Sequence, residues 1–504
     1  MSTREIGVAP RLTSGRRVMI LITVSLCVML YALTTTIINV VLPQLQGALS
    51  ATPDQVSWVV TLNLVATAVV TLMTGWLVAR FGQRGVMVWS VVGFSVASLL
   101  CATATTLPPL LLYRIGQGAF GAPLVPLAQA IIVASYPPAQ RAMAQGIFGM
   151  CIVIGPAVAP ALGGYLAEEY GWRWIFFLIL PFCLMALLGV LAFIRDDGRQ
   201  RNSRLDWTGF ILLSLVVSAL QFVLDRGQRL DWLESDLIVI LAVVVGLAFY
   251  LYVVHTATSR EPFISPALFL DRNFAVGLLI VFLYGMLNMT PLVLLPNLLQ
   301  NLMGYPDSLI GTLLGTRGAG MAMGFLAASR MGRLDPRIGI VMGLSLICLS
   351  GWRSAGFDFN VSTLEVGFLA AMQGFGCGLM WVPLSVITFA TLPDRLLPDG
   401  SAIFHLLRNF GSSIFISLSM LAVVRSGGTA YAEISEPINL FNEAFSFANT
   451  SGLWSLESSL GMGTLAMEIG RQATMVGYNN AFVMYAILSL AALPLMLFIR
   501  IRPR

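Results

Sequence analysis

The chain has 504 residues, 57% hydrophobic and 11% charged, with a mean hydropathy of +0.84 and a formal charge of +5. That balance excludes an ordinary soluble domain and places most of the chain in lipid. Every basic residue is arginine, and the arginines fall in short segments between apolar runs instead of along one face, which excludes a nucleic-acid-binding surface.

Runs of at least ~18 apolar residues between polar breaks read as spanning helices. The first, 18–43, follows Arg4, Arg11, Arg16 and Arg17 and is too long for a signal-peptide core. Next come 55–79, 86–104, 109–135, 142–167 and 173–194, then an arginine-rich segment, 195–204. A pair of runs at 207–225 and 237–254 leads to a linker, 255–272, whose prolines and Ala267-Leu268-Phe269-Leu270 suit the membrane interface. Six more runs, 274–299, 309–329, 338–354, 364–391, 400–424 and 479–499, bring the total to fourteen. The one long outside loop, 425–478, is expected to hold a helix around Leu456 to Ile469.

The arginines give an independent check, because cytoplasmic loops retain positive charge. With the N-terminus inside, twenty arginines lie on the cytoplasmic side and six opposite, while Arg114, Arg317 and Arg408 fall within spans. Both termini are therefore expected in the cytoplasm, in a multi-pass protein of the cytoplasmic (inner) membrane. The sequence also repeats itself. Leu42-Pro43 and Pro53-Asp54 recur as Leu295-Pro296 and Pro306-Asp307, an offset of 253, and Gln117-Gly118 and Pro126-Leu127 recur as Gln373-Gly374 and Pro383-Leu384, offset 256 to 257. The expected architecture is an all-α polytopic fold: a six-helix half at 1–200, an inserted pair at 201–258 and a second six-helix half at 259–504.

The six cysteines all fall inside apolar runs and read as small buried residues. With two histidines, His255 and His405, and no paired acid and base, neither a metal site nor an enzyme active site is expected.

Several stretches resemble the fourteen-helix drug:proton antiporters of the major facilitator superfamily, the EmrB/QacA-type efflux permeases. These are Thr36-Ile37-Ile38-Asn39-Val40-Val41-Leu42-Pro43, Gly75-Trp76-Leu77, Tyr136-Pro137-Pro138-Ala139-Gln140-Arg141, Trp174-Ile175-Phe176-Phe177, Leu224-Asp225-Arg226-Gly227 and Arg272-Asn273-Phe274. The fifth span, Gly155-Pro156-Ala157-Val158-Ala159-Pro160-Ala161-Leu162-Gly163-Gly164, is similar to that superfamily's antiporter signature; its small residues every fourth position make a flat face, and its prolines remove backbone donors. Arg114, Gln117 and Gly118 resemble the family's arginine motif tied to proton coupling, and with Gly121 they share one helical face. An arginine within the bilayer costs at least ~2.5 kcal/mol, so Arg114 should face a wet cavity or a partner.

Two departures stand out. In the gating-loop motif, Gly75 to Arg84, Ala79 stands where the family has an acid, although Arg80 and Arg84 remain. In the first span, Thr34 stands where the family has an Asp before the Thr-Ile-Val-Asn run. With no such carboxylate in the first span, the in-membrane arginines invite a substrate that brings the negative charge, unless backbone carbonyls at kinked helices satisfy them instead. A binding cavity is expected from Tyr31, Thr34, Asn63 and Gln129 in the first half and Asn288, Met289, Arg317, Met372, Gln373, Phe375, Met380, Trp381, His405 and Arg408 in the second, Met and aromatic faces for varied apolar ligands and amides to orient them.

The resemblance implies export of amphipathic drugs or metabolites by alternating access, with the proton gradient as energy source and no bound cofactor. It also implies docking to a periplasmic adaptor and an outer-membrane channel in a Gram-negative host. Two alternatives stay open: a dedicated exporter of one anionic metabolite, fatty acid or siderophore, and a non-transporting receptor or sensor on a transporter scaffold.

Overall fold

The computed structural model describes residues 13–195, 205–259, 261–331, 335–439 and 458–498, together with 442, 454 and 456. The arginine-rich segment from 196, the middle of the outer loop and the C-terminal arginines lie outside the described residues.

The chain is built from α-helices. In order they are α1 (Ser14–Leu49), α2 (Pro53–Thr103), α3 (Leu107–Gly121), α4 (Leu124–Ser135), α5 (Pro138–Glu169), α6 (Trp174–Phe177), α7 (Ile179–Phe193), α8 (Trp207–Arg226), α9 (Asp236–Thr258), α10 (Ala267–Leu270), α11 (Arg272–Asn297), α12 (Asp307–Arg330), α13 (Pro336–Ser354), α14 (Thr363–Thr388), α15 (Leu397–Ser435) and α16 (Ser459–Ala491). Among the described residues, eleven helical stretches are long and apolar enough to cross a membrane. Helices are the solution because a backbone group left unpaired in hydrocarbon costs several kcal/mol, and a helix pairs nearly all of its own.

Local chemistry explains the breaks. α2, at 51 residues, is too long for one crossing, and it bends at Gly82, whose φ of 76° and ψ of 160° lie outside what a side chain tolerates. Its start is fixed by a capping box between Thr52 and Gln55 and by Pro53 in the first turn. α3 and α4 are separated at Ala122-Pro123, where proline withholds a donor. The outer loop is shorter than expected at both ends, since α15 runs on to Ser435 and the helix anticipated from Leu456 begins at Ser459 and continues into the last span as α16.

By internal contacts the chain divides into two compact units. The first comprises 1–219, 244–275 and 385–406; the second comprises 220–243, 276–384 and 407–504. In the first unit, Val24, Val28, Met87, Leu127, Phe148 and Ile179 form one buried cluster, and Ile38, Val41, Val59, Leu110, Ala159 and Phe176 another. In the second, Leu294, Leu298, Leu313, Val366, Tyr478 and Phe482 pack together. α9 stands apart: most of its side chains are exposed, whereas most of those on α14 are buried, so its apolar surface faces outward as a lipid-facing helix requires.

A polar clasp ties the start of α8 to the end of α9. Both carboxylate oxygens of Asp206 lie 2.9 Å from His255 Nε2, and they also accept the backbone N–H groups of Gly209 and Phe263, each at 3.0 Å. Burial raises the affinity of Asp206 for its proton, but these three donors together outweigh it and hold the carboxyl below its ordinary value. A depressed carboxyl contributes stability above its unfolded pKa and loses that contribution as pH falls through the folded one. Asp206→Asn is therefore expected to lower stability by about 1–3 kcal/mol at neutral pH. In thermal unfolding of the detergent-solubilised protein, the gap between wild type and variant should close as pH drops below about 4; a gap that persists unchanged would mean the carboxylate charge contributes nothing.

Candidate functional site

The side chains singled out by sequence gather into distinct groups within each unit. In the first, Arg114 on α3 is 1% exposed; its Nε donates to the Val59 carbonyl at 3.2 Å and its Nη1 to Gln117 Oε1. Gln117 passes a hydrogen bond to Ser98 Oγ at 2.7 Å, and Asn63 Nδ2 donates to the Arg114 carbonyl at 2.8 Å. Arg114, Gln117, Gly118 and Gly121 are all buried, so the face read from their spacing is the packed one. The arginine's partners are amide and carbonyl oxygens, with no carboxylate in an ion pair to it among the described residues.

Gly118 lets α3 touch α2: a Cβ there would collide with the Asn63 carbonyl and come within 3.1 Å of Thr67 Oγ1. Tyr31 OH donates to Thr67 Oγ1 at 3.2 Å, and the same ring fills the space over Gly121. Gln129, fully buried on α4, bonds His405 Nε2 within the same unit. Thr34, where the family pattern has a carboxylate, is 2% exposed and donates to its own helix at Leu30 O, 2.7 Å away.

The small-residue face of α5 packs on α1. A Cβ at Gly155 would lie 2.8 Å from the Met29 carbonyl and 3.0 Å from the Leu33 N, and one at Gly163 would lie 2.6 Å from Ile37 Cγ1. Gly164 has nothing within 4 Å of its would-be Cβ, and Pro156 is half-buried. Pro160 lies within α5. Arg80 and Asp225 are exposed, and Arg84 donates to the Leu191 carbonyl at 3.0 Å. The carboxylate of Asp399, at the start of α15, occupies the space beside Gly75. No sequence pattern marks it, because an acid in a first helical turn reads as a dipole cap.

In the second unit Arg317 on α12 is 5% exposed. Its Nε donates to Gln373 Oε1 at 2.6 Å and its Nη2 to Asn288, at the carbonyl (2.5 Å) and Oδ1 (2.7 Å). Gln373 Nε2 donates to the Leu287 carbonyl and to Tyr485 OH, at 3.1 and 3.0 Å. Tyr485 is not legible in the sequence, since one tyrosine in an apolar run carries no pattern. Arg408 is half-buried; its guanidinium carbon lies 5.7 Å from the centroid of Trp381, whose ring packs 5.0 Å from that of Tyr284. Met372 and Phe375 are half-buried and Met380 buried, whereas Met289 is 36% exposed and joins none of these polar groups.

The two units repeat one packing plan. Gly411 sits against Phe282 and Met286 as Gly155 sits against Met29 and Leu33, with offsets of 256 for the glycines and 253 for their partners. Gly374 sits against the Arg317 carbonyl as Gly118 sits against that of Asn63, with offsets of 256 and 254. The arginine has changed place between copies: it projects from α3 in the first and from α12 in the second, yet an equivalent glutamine, Gln117 or Gln373, accepts from it in both.

The profile described as the Major Facilitator Superfamily matches residues 24–416. The multidrug export protein EmrB of Escherichia coli K12 is 32% identical over 500 residues, covering 97% of this chain and 96% of the relative. The fatty acid resistance protein FarB of Neisseria gonorrhoeae is 28% identical over 495 residues, covering 96% of each. Among solved structures, the human organic anion transporter MFSD10 superposes with a TM-score of 0.62 at 15% identity, over 96% of this chain and 100% of that one, which speaks for the fold alone.

Gly118→Ala and Gly374→Ala should each destabilise the protein by about 1–3 kcal/mol, because the added methyl meets a backbone carbonyl that cannot move aside. Gly164→Ala, with open space, should be neutral. Thermal unfolding of the three purified variants checks this, and equal behaviour of all three would refute the close-packing account.

Proposed function

The chain belongs to the major facilitator superfamily, among its EmrB-like multidrug efflux permeases, and from that membership we propose how it works. It is a secondary active transporter of the inner membrane, not an enzyme, and it exports amphipathic compounds by alternating access driven by inward proton movement. The observation that carries the mechanism is the repeated glycine-on-backbone packing at offsets of 253 to 256, which supports two quasi-equivalent bundles able to move as bodies. On this reading the fourteen spans expected from the sequence form two six-helix halves with α8 and α9 inserted and both termini in the cytoplasm. The proton gradient supplies the energy, and in a Gram-negative host a periplasmic adaptor with an outer-membrane channel completes the path outward.

The preferred substrates are anionic amphiphiles. Thr34 supplies no charge, its hydroxyl being bonded to Leu30, and the half-buried Arg408, over the Trp381 ring, is the cation among the assigned contacts. A cation in low dielectric attracts a ligand carboxylate strongly. The name of FarB, a fatty acid resistance protein, supports the same preference and also a narrower reading, a dedicated exporter of one such acid. Substrate contacts are assigned to side chains with accessible surface: Tyr31 in the first unit and Met289, Met372, Phe375 and Arg408 in the second. Asn63, Gln129, Asn288, Gln373, Trp381 and His405 serve mainly to hold these in place, while Arg114, Gln117, Gly118, Gly155 and Gly163 transmit coupling.

Efflux from everted vesicles under an imposed pH gradient tests this, with anionic and cationic amphiphiles compared. Wild type should transport anions preferentially, and Thr34→Asp should shift the preference towards cations by about tenfold, equivalent to ~1.4 kcal/mol. No gradient-dependent flux of either class would refute proton antiport.

A further inference from the structure

Arg317 is buried at 5% exposure, and its neighbours leave its charge unbalanced. The bonds to Gln373 and Asn288 engage Nε and Nη2, and every acceptor is neutral. Among the described residues Nη1 meets no oxygen acceptor, and the neighbouring Cys377 thiol is at most a weak one. No carboxylate among them forms an ion pair with the guanidinium. A buried cation without a counter-charge carries a desolvation penalty of several kcal/mol.

Beside this side chain, within the second unit, lies a cavity of about 20 Å³. Arg317, Gln373 and Tyr485 form its polar wall, Ser354 adds a hydroxyl, and Phe357 and Phe482, packed edge to face with centroids 6.1 Å apart, form part of its apolar wall. Ser354 is 7% exposed, and its Oγ makes no hydrogen bond among the described residues. The other polar groups are committed: Tyr485 OH donates to the Leu287 carbonyl at 2.8 Å and Ser350 Oγ to the Leu369 carbonyl at 3.0 Å. The cavity thus offers two donors, one of them charged, and no anionic group. A water needs roughly 10–15 Å³, so the space admits a small species.

We propose that this cavity binds one small monovalent anion, chloride under ordinary conditions, held by Arg317 Nη1 and Ser354 Oγ. The anion neutralises the guanidinium where no side chain does and holds α11, α12, α13, α14 and α16 around it. Because the apolar wall makes an ion shed its hydration shell, weakly hydrated bromide and nitrate bind at least as well as chloride, and divalent sulfate does not bind. Occupancy by chloride does not depend on which compound the protein exports.

The test is thermal unfolding of the purified full-length protein in detergent, at constant ionic strength, with sodium gluconate replaced stepwise by sodium chloride, bromide, nitrate or sulfate. Saturable stabilisation by chloride, bromide and nitrate but not by sulfate is expected, following ligand linkage. Arg317→Gln should abolish that response, and Ser354→Ala, a milder change, should weaken the apparent chloride affinity about tenfold through loss of one hydrogen bond to a charge. Equal stability in chloride and gluconate would overturn the proposal and leave the cavity to water. So would a chloride response unchanged in Ser354→Ala, which decides the matter even if Arg317→Gln does not fold.

Discussion

A guanidinium inside a helical bundle has to be solvated by the bundle itself, and much of this protein's polar chemistry follows from meeting that demand without carboxylates. Arg114 meets it with the Val59 carbonyl and the Gln117 amide, and Arg317 meets it with Gln373 and both oxygens of Asn288. Each of these acceptors must then be oriented. Gln117 is held by Ser98, and Gln373 by the Leu287 carbonyl and Tyr485. One charge therefore fixes a chain of side chains on three or four helices, and in low dielectric the bonds are too strong to exchange freely.

Such networks require close helices, and lipid supplies no hydrophobic drive to bring them together. Glycine on backbone provides the contact. At Gly118, Gly155, Gly374 and Gly411 the neighbouring helix approaches to where a side chain would stand, so dispersion and dipole contacts accumulate along the interface. The same residues that let the arginine partners reach one another thus hold the helices of each unit at close range.

Departures from the family pattern have a shared logic. With Thr34 bonded to its own helix and Ala79 in the gating loop, acidic groups are missing where the resembling antiporters carry them. Asp399 beside Gly75 and Asp206 in its clasp with His255 show that carboxylates have been kept near helix starts, where the free N–H groups of a first turn favour an acid. Among the described residues, the buried arginines Arg114 and Arg317 are answered by amides and carbonyls instead.

By itself the sequence determined the membrane class and pointed to the internal repeat, because hydrocarbon demands long apolar runs and duplication leaves matched Leu-Pro and Gln-Gly pairs at nearly the same offset. It also marked Arg114, Arg317 and the Gly155 face, since a charge in lipid is costly unless something answers it, and small residues every fourth position suit a close helix neighbour. Partners were another matter. That Gln117 answers to Ser98, that Gln129 meets His405, and that Tyr485 closes the Arg317 network depend on contacts across 19, 276 and 112 residues of chain, which no local pattern encodes. The cavity beside Arg317 was equally invisible, because a void is what five packed helices fail to fill, and only the tertiary structure decides where that happens.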